Sequence, residues 1–135
     1  MSMLVDTNVL SETVRARPNP SVLRWLSQHS VFCISAITLE ELAFGIERVS
    51  GNKRATLYEW LERLRAEPSP EVVPIDAEVA LAAGRLRARR EQRGKPVAQA
   101  DMLIAACALT RGLTLVTRNV ADFDGCGVAL LNPFE

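Results

Sequence analysis

The apolar positions of this 135-residue chain fall into short continuous runs separated by longer stretches with a different spacing. Runs of this kind, a few residues long and flanked by turn-forming residues, predict buried strands. They lie at residues 3–5, 31–35, 72–73, 114–116 and 129–131. Because the runs are continuously apolar rather than alternating, they favour a parallel sheet with both faces covered.

Between the runs, apolar residues recur every three or four positions, and this spacing predicts helices. A short first helix follows the first strand and is broken near Pro18 and Pro20. A second helix begins at Ser21, and further helices cover residues 37–49, 57–64, 76–92 and 98–110. The last of them is apolar on nearly all sides, so we expect it to be buried between layers. The pattern predicts one domain over residues 1–135, with a three-layer α/β/α fold around a central parallel sheet of about four or five short strands.

The composition is that of a globular protein, because 48% of the residues are apolar and 24% are charged. The longest strongly apolar stretch, residues 102–109, is too short to cross a bilayer, and the N-terminus lacks a signal-peptide pattern. Cys33, Cys107 and Cys126 are widely spaced, without the paired spacing of a zinc site, and suit a reducing compartment. We therefore expect a cytoplasmic protein with no membrane association.

Positive charge is concentrated in residues 85–95, where five arginines and Lys95 face the single acid Glu91. Over the whole chain 16 basic residues balance 16 acidic ones, which counts mildly against a generic nucleic-acid binder. The concentrated segment has two interpretations. It is either a solvated helix face or an edge that contacts phosphates.

Acidic residues follow the predicted strands, where open parallel sheets bind their ligands. The acids that share this location are Asp6, Glu40, Glu41, Asp101, Asp122 and Asp124. Each also has a purely structural interpretation. Asp6 can cap a helix, Asp101 can favour the dipole of its own helix, and Asp122 can form a turn. The two glutamates can be solvated.

Convergence of these acids would change that interpretation. Two carboxylates about 4 Å apart repel by roughly 4 kcal/mol at an effective dielectric constant near 20, so several together need protonation, separation or a cation. Mg²⁺ takes oxygen ligands, and a bound metal lowers the pKa of a water and stabilises charge on a phosphate. Helical periodicity does not choose between Glu40 and Glu41, because they lie symmetrically about the back of the apolar stripe.

Several other chemistries lack the residues that they need. His29 is the only histidine, which excludes a metal-free ribonuclease with two histidines as acid and base. The chain has no Gly-rich phosphate loop, so a P-loop NTPase or a dinucleotide site is unsupported. It also has no G-x-S-x-G elbow for a serine hydrolase.

Four segments together resemble the PIN-domain family. They are residues 4–10 (LVDTNVL), 35–42 (SAITLEEL) with Gly45 after them, 100–106 (ADMLIAA), and 116–119 (VTRN) with Asp122-Phe123. The segments occur in the family's order over nearly the whole chain, so the match is specific although each segment alone is weak. The resemblance implies a PIN-like α/β/α fold and an endoribonuclease that depends on Mg²⁺, with Mn²⁺ as a substitute.

The resemblance also implies which residues form the site. Asp6 matches the family's first metal-binding acid, Glu41 the second and Asp101 the third. Some relatives carry an aspartate where this chain has Asn119, so Asp122 is our candidate for the fourth acid. All four acids are expected to bind the metal and to act in catalysis, through a water that attacks an RNA phosphodiester.

The small size of the chain favours the VapC-like or FitB-like toxins of type II toxin–antitoxin systems over larger PIN nucleases. This resemblance implies an RNA substrate, a homodimer, and a small VapB-type antitoxin whose C-terminal segment fills the acidic groove. Thr7 and Thr117 are expected to orient the acids or to hold waters. Phe44 lies away from the apolar stripe of its helix, so it is a candidate interface residue unless it packs under a neighbouring helix.

Two other functions are alternatives. The first is a catalytically inactive PIN-like module that binds RNA or protein without cleaving it, which a metal-titrated cleavage assay would distinguish. The second is a receiver-like phosphoacceptor domain. That family places two acids together early and a lysine after a late strand, whereas here Thr117 and Arg118 follow the fourth strand.

Overall fold

The computed structural model describes residues 2–135 and contains a five-stranded parallel sheet. The strands are β1 (Met3–Val5), β2 (Cys33–Ser35), β3 (Glu71–Val73), β4 (Thr114–Val116) and β5 (Leu130–Leu131). Their order in the sheet is β3-β2-β1-β4-β5. Every neighbouring pair is parallel, with Leu4 opposite both Cys33 and Leu115. The predicted parallel sheet is therefore confirmed, although β2 begins two residues later than expected.

Six α-helices connect or follow the strands. They are α1 (Thr7–Glu12), α2 (Pro20–Gln28), α3 (Ala36–Glu47), α4 (Asn52–Ala66), α5 (Ala77–Gln92) and α6 (Gln99–Arg111), and a 3-10 turn follows at Val120–Phe123. Residues that commonly cap helices stand at several of the helix ends. Asn19 and Asp76 accept hydrogen bonds from the first backbone amides of α2 and α5, and Gly112 takes a left-handed conformation after α6.

The sheet separates two apolar clusters, because alternate residues of each strand point to opposite faces. Leu4 and Leu115 pack with α5 and α6 on one face. Val5 and Val116 pack on the other face with side chains of α1 to α4, such as Ile46. The two clusters give the predicted three-layer α/β/α arrangement. Helix α6 carries the longest run of buried residues, from Ile104 through Ala108, as its apolar sequence predicts.

Two sequence expectations about the outer layer receive an answer. Helix α1 ends at Glu12, before Pro18, and the Glu12 carboxylate accepts a hydrogen bond from the Asn19 amide at 2.7 Å across the turn that follows. Phe44 is 60% exposed, so it does not pack under a neighbouring helix.

All three cysteines are free thiols, and Cys107 and Cys126 are buried while Cys33 is half-buried. Among the described residues, none of the helices has the length and apolarity to span a membrane.

Candidate functional site

The strand order brings the candidate acids to one edge of the sheet. Strand β1 lies in the middle, and the chain builds outward from it through β2 and β3 before it crosses back to place β4 on the other side. Ligands of open α/β sheets bind at such a reversal, outside the carboxyl ends of the strands. Asp6 follows β1 directly and Thr117 follows β4, so both residues stand at this point.

Asp6 is held by three donors. It is 5% exposed and caps α1, where its carboxylate accepts a hydrogen bond from the Thr7 amide at 2.8 Å. The Thr117 hydroxyl donates to it at 2.8 Å and the Asn8 side-chain amide at 3.2 Å. Burial raises the pKa of Asp6, the three hydrogen bonds lower it, and the negative charge of Glu41 raises it further. The net pKa is raised, because desolvation disfavours the charged carboxylate.

Glu41 is tied to the same centre through a threonine. The Thr7 hydroxyl donates to Glu41 Oε1 at 2.6 Å, and Thr38 Oγ1 lies 3.0 Å from the same hydroxyl. Glu41 is half-buried, whereas its neighbour Glu40 is exposed. The fold therefore makes the choice that helical periodicity left open, and it places Glu41 in the cleft. The expected orienting contacts of Thr7 and Thr117 are present.

Asp101 faces these acids from the first turn of α6. Its partial burial and, in decreasing order, the negative charges of Asp6, Asp122 and Glu41 together raise its pKa to about 6. A carboxyl group whose charged form is disfavoured by three other acids must lie near all of them. Acids from four separate segments of the chain thus act on one another at this edge of the sheet.

The acids open into a cleft of about 390 Å³. Its walls are formed by Asp6, Thr7, Asn8, Ser11, Glu12, Arg15, Glu41, Asp101, Arg118 and Asn119. Three of the four predicted site residues lie in this wall. Asp122 does not, and it acts on Asp101 through its charge from outside the cleft, while Asn119 occupies the wall near it. Asn8, Ser11 and Glu12 were not predicted as site residues.

The type of side chain in this site suits a metal ion, although the side chains do not form a complete set of metal ligands. Within residues 2–135, no group of three or more His, Cys, Asp or Glu side chains is arranged so that it could hold an ion as it stands. The cleft nevertheless gathers carboxylate oxygens, the ligands that hard divalent cations prefer. Burial is the largest cause of the raised pKa values of Asp6 and Asp101, and neighbouring carboxylates raise them further, so a bound cation would favour the charged form of both groups.

The basic segment of the sequence does not reach the cleft. Its arginines on α5 are exposed except Arg90, which is 6% exposed and donates hydrogen bonds to the carbonyls of Lys95 and Asp124. Most of this segment is therefore an exposed helix face, and none of its residues lines the cleft. Arg118 and Arg15 line the cleft instead. Arg15 was missed, because a single arginine in an irregular turn carries no pattern.

His29 has the ordinary structural position that its place near a helix end suggests. It ends α2, its Nδ1 lies 2.8 Å from the Trp25 carbonyl oxygen, and its ring stacks on the Trp25 ring at 4.4 Å between centroids. These contacts explain the residue without any role in catalysis.

Comparisons with known proteins agree with this geometry. A family model described as the PIN domain matches residues 3–124. The chain is 34% identical to VapC ribonuclease Y4jK of Sinorhizobium fredii, over 98% of each chain. It is 36% identical to Toxin FitB of Neisseria gonorrhoeae, over 98% of this chain and 99% of the relative. The structure of FitAB bound to the IR36 DNA fragment superimposes with a TM-score of 0.90 and 34% identity, over 98% of this chain and 96% of that one.

Proposed function

Because this chain belongs to the PIN-domain family, we propose that it is a toxin ribonuclease of the VapC type, an endoribonuclease that depends on Mg²⁺ or Mn²⁺. The observation that carries the proposal is the convergence of Asp6, Glu41 and Asp101 on one cleft, together with a pKa of about 6 for Asp101. Carboxylates that repel one another in a partly buried cleft are poised to take up a cation, and RNA supplies the phosphate on which such a site acts.

One set of residues would bind the metal, and a second set orients the residues that bind it. Asp6, Glu41 and Asp101 would hold the metal, and Asp122 would assist them through its charge or a water. When bound, a divalent cation supplies positive charge against the phosphate and lowers the pKa of a water. Thr117 and Thr7 fix Asp6 and Glu41 through short hydrogen bonds, so the acids need little rearrangement to face a substrate.

The reaction that this arrangement supports is hydrolysis of an RNA phosphodiester. Water adds to the phosphorus while the bond from phosphorus to the 3′ oxygen breaks, which leaves a 5′-phosphate and a 3′-hydroxyl. Arg15 and Arg118 in the cleft wall supply positive charge for the substrate's phosphates. A PIN-like module that binds without cutting is the alternative, and the presence of Asp6, Glu41 and Asp101 in a shared cleft favours the enzyme over it.

The cellular role follows from the relatives. One of them is named as the toxin FitB, and FitAB has been solved as a complex bound to DNA. We therefore propose a VapB-type antitoxin as the partner of this chain, a homodimer as its assembly, and the cytoplasm as its location. The exposed Phe44 on α3 is a candidate residue for the dimer contact.

The test is RNA cleavage combined with thermal unfolding. Asp6→Asn and Asp101→Asn should each abolish cleavage, and excess chelator should abolish it in the unchanged chain, because the cation is no longer held. Asp124→Asn is the matched control, since Asp124 is exposed and lies outside the cleft. As a second readout, Mg²⁺ at about 100 times its dissociation constant should raise the stability of the unchanged chain by about 2.7 kcal/mol, with a smaller effect in Asp101→Asn.

Full cleavage in either cleft variant, or in excess chelator, would reject the proposed enzyme. Binding of RNA without cleavage at any metal concentration would favour the inactive module instead.

A further inference from the structure

A second cavity of about 410 Å³ adjoins the acidic cleft. The two share Glu12, Arg15 and Arg118 in their walls, so a molecule that occupies one extends naturally into the other. The second cavity adds Arg17 and Phe134 to these shared residues. Its wall is thus rich in arginine and contains an aromatic ring, whereas the first cleft is rich in acids.

The Arg118 side chain lies over the Phe134 ring, with its guanidinium carbon 4.9 Å from the ring centroid. A cation in this position is attracted by the face of the ring, which favours one orientation of an otherwise mobile side chain. Phe134 itself is partly buried against the apolar cluster that contains Val5 and Val116, so the ring rests on the core of the protein. The Phe134 ring covers one face of the Arg118 guanidinium, and Arg118 is otherwise exposed to solvent.

A chain of hydrogen bonds connects this pair to the candidate catalytic acid. Asn8 donates to Asp6 Oδ2 at 3.2 Å, and its side-chain oxygen accepts from the Arg118 amide at 3.2 Å. Asn132 then donates to the Arg118 carbonyl at 3.5 Å and accepts from the Phe134 amide at 2.9 Å. The hydrogen bonds to the amide and the carbonyl of Arg118 therefore hold its backbone in place between Asp6 and Phe134.

The other wall of the cavity is anchored by a buried acid. Glu12 is 4% exposed and accepts hydrogen bonds from the Asn19 amide at 2.7 Å and from Arg15 Nη1 at 3.3 Å. This contact holds Arg15 at the boundary between the two cavities. Among residues 2–135, neither Arg17 nor Arg118 forms an ion pair with a carboxylate, so their charges remain available to a ligand.

We propose that the second cavity is a nucleotide subsite of the same active site, which takes the RNA residue next to the scissile phosphate. Arg15 and Arg17 pair with its phosphate, and its base stacks on the Arg118 guanidinium that Phe134 supports. Guanidinium and aromatic planes are the groups on which proteins stack unpaired bases, and arginines bind the connecting phosphates. The subsite rests on the proposed function, because its ligand is the substrate of the acidic cleft. Phe134 is a positioning residue that acts through Arg118.

An RNA ligand fits these observations better than a protein segment. Several arginines beside an aromatic ring, two of which (Arg17 and Arg118) have no carboxylate partner among residues 2–135, match the alternation of phosphate and base along a single strand. The continuity with a cleft that we assign to phosphodiester hydrolysis gives the strand a path through both cavities.

The experiment measures binding in excess chelator, so it does not depend on cleavage or on the metal. The probe is a single-stranded RNA hexamer of uridines with one central 2-aminopurine, whose fluorescence is quenched when its base stacks. The unchanged chain should bind it with quenching. Arg118→Gln and Phe134→Leu should weaken binding about tenfold and remove most of the quenching, since stacking is lost. Leucine preserves the apolar contact of residue 134 with the core.

The fold offers a matched control. Arg48 lies over the exposed ring of Phe44, 5.4 Å from its centroid, and neither residue lines either cavity. Arg48→Gln repeats the change made at Arg118 and should leave affinity and quenching unchanged.

Unchanged binding and quenching in Arg118→Gln and Phe134→Leu would overturn the subsite. So would variants that bind the RNA normally but fail to bind the antitoxin, because the cavity would then dock a protein. Neither outcome bears on the proposed function, which is rejected by full cleavage in Asp6→Asn, in Asp101→Asn or in excess chelator.

Discussion

Two charged regions of this molecule, helix α5 and the acidic cleft, differ in how far their charges are exposed to solvent, and the sequence alone does not show this difference. Helix α5 carries the densest run of charge in the chain, yet most of its arginines are exposed to solvent. The acidic cleft draws single residues from distant segments, and there the pKa of Asp101 rises to about 6. Exposed charges are screened by water, whereas charges that share a partly buried cleft are not.

The comparison teaches that the position of a charge in the fold matters more than the local density of charge in the sequence. A run such as residues 85–95 gives each side chain access to solvent on a helix surface. Single acids at the carboxyl ends of parallel strands are brought together, because those ends meet at one edge of the sheet. Three predictions test this difference, and they follow in order of expected effect.

The largest effect should separate two neighbouring glutamates. Glu41→Gln should lower the rate of RNA cleavage at least about 100-fold, because it removes a charge from the cleft that the Thr7 hydroxyl orients. Glu40→Gln removes the same charge one residue away, on the exposed side of α3, and should change the rate less than about twofold. Cleavage rates of the purified variants on one RNA, at saturating Mg²⁺, make the comparison. Equal losses in the two variants would mean that total charge, not the cleft, governs activity.

A smaller effect should distinguish two neighbouring arginines within α5. Arg90→Gln should lower the free energy of unfolding by about 2 kcal/mol, because the buried guanidinium donates to the carbonyls of Lys95 and Asp124. Arg89→Gln, on the exposed surface of the same helix, should change it by less than about 0.5 kcal/mol. Urea unfolding measures both. Similar stabilities would show that the Arg90 contacts contribute nothing, and that the whole segment behaves as a solvated face.

The smallest effect concerns the pH dependence of stability in excess chelator. The folded chain raises the pKa of Asp101 to about 6 from its ordinary value of 3.8, so the charged carboxylate is disfavoured by folding. This penalty is fully present above about pH 6 and is relieved as the pH falls toward 3.8, because the folded state then binds the proton more readily than the unfolded state. Asp101→Asn should therefore be more stable than the unchanged chain at neutral pH, by about 1 kcal/mol after allowance for partial exposure.

The advantage of Asp101→Asn should shrink as the pH is lowered from about 7 to about 4, and unfolding curves at several pH values would reveal it. Asp124→Asn provides the reference, since Asp124 is exposed and outside the cleft. An advantage for Asp101→Asn that stays constant over this pH range would contradict the raised pKa.

Much of the fold was readable from the sequence because it depends on local chemistry. The apolar run of β4 is predicted at its observed position, and the bounds of α5 are predicted to within one residue. Boundaries set by distant contacts were predicted less well. Helix α1 ends at Glu12, and periodicity contains no information about the hydrogen bond between the Glu12 carboxylate and the Asn19 amide in the turn that follows.

The candidate site was predictable only in part. Asp6 and Asp101 stand out because they interrupt or flank strongly apolar elements, and the family resemblance singled out Glu41. Arg15 carries no comparable signal, since its place in the cleft depends on how the turn after α1 folds back. The location of Asp122 just outside the cleft wall is likewise a property of the folded chain.

By itself, the sequence determined which segments become strands and helices and which acids follow the strands, because these depend on spacing and on neighbouring residues. Only the tertiary structure decided that Asp6, Glu41 and Asp101 repel one another, that the α5 arginines lie elsewhere, and that Arg118 rests on Phe134 beside the cleft. The physical reason is that desolvation and Coulomb interactions depend on distances in space, which the order of residues along the chain does not contain.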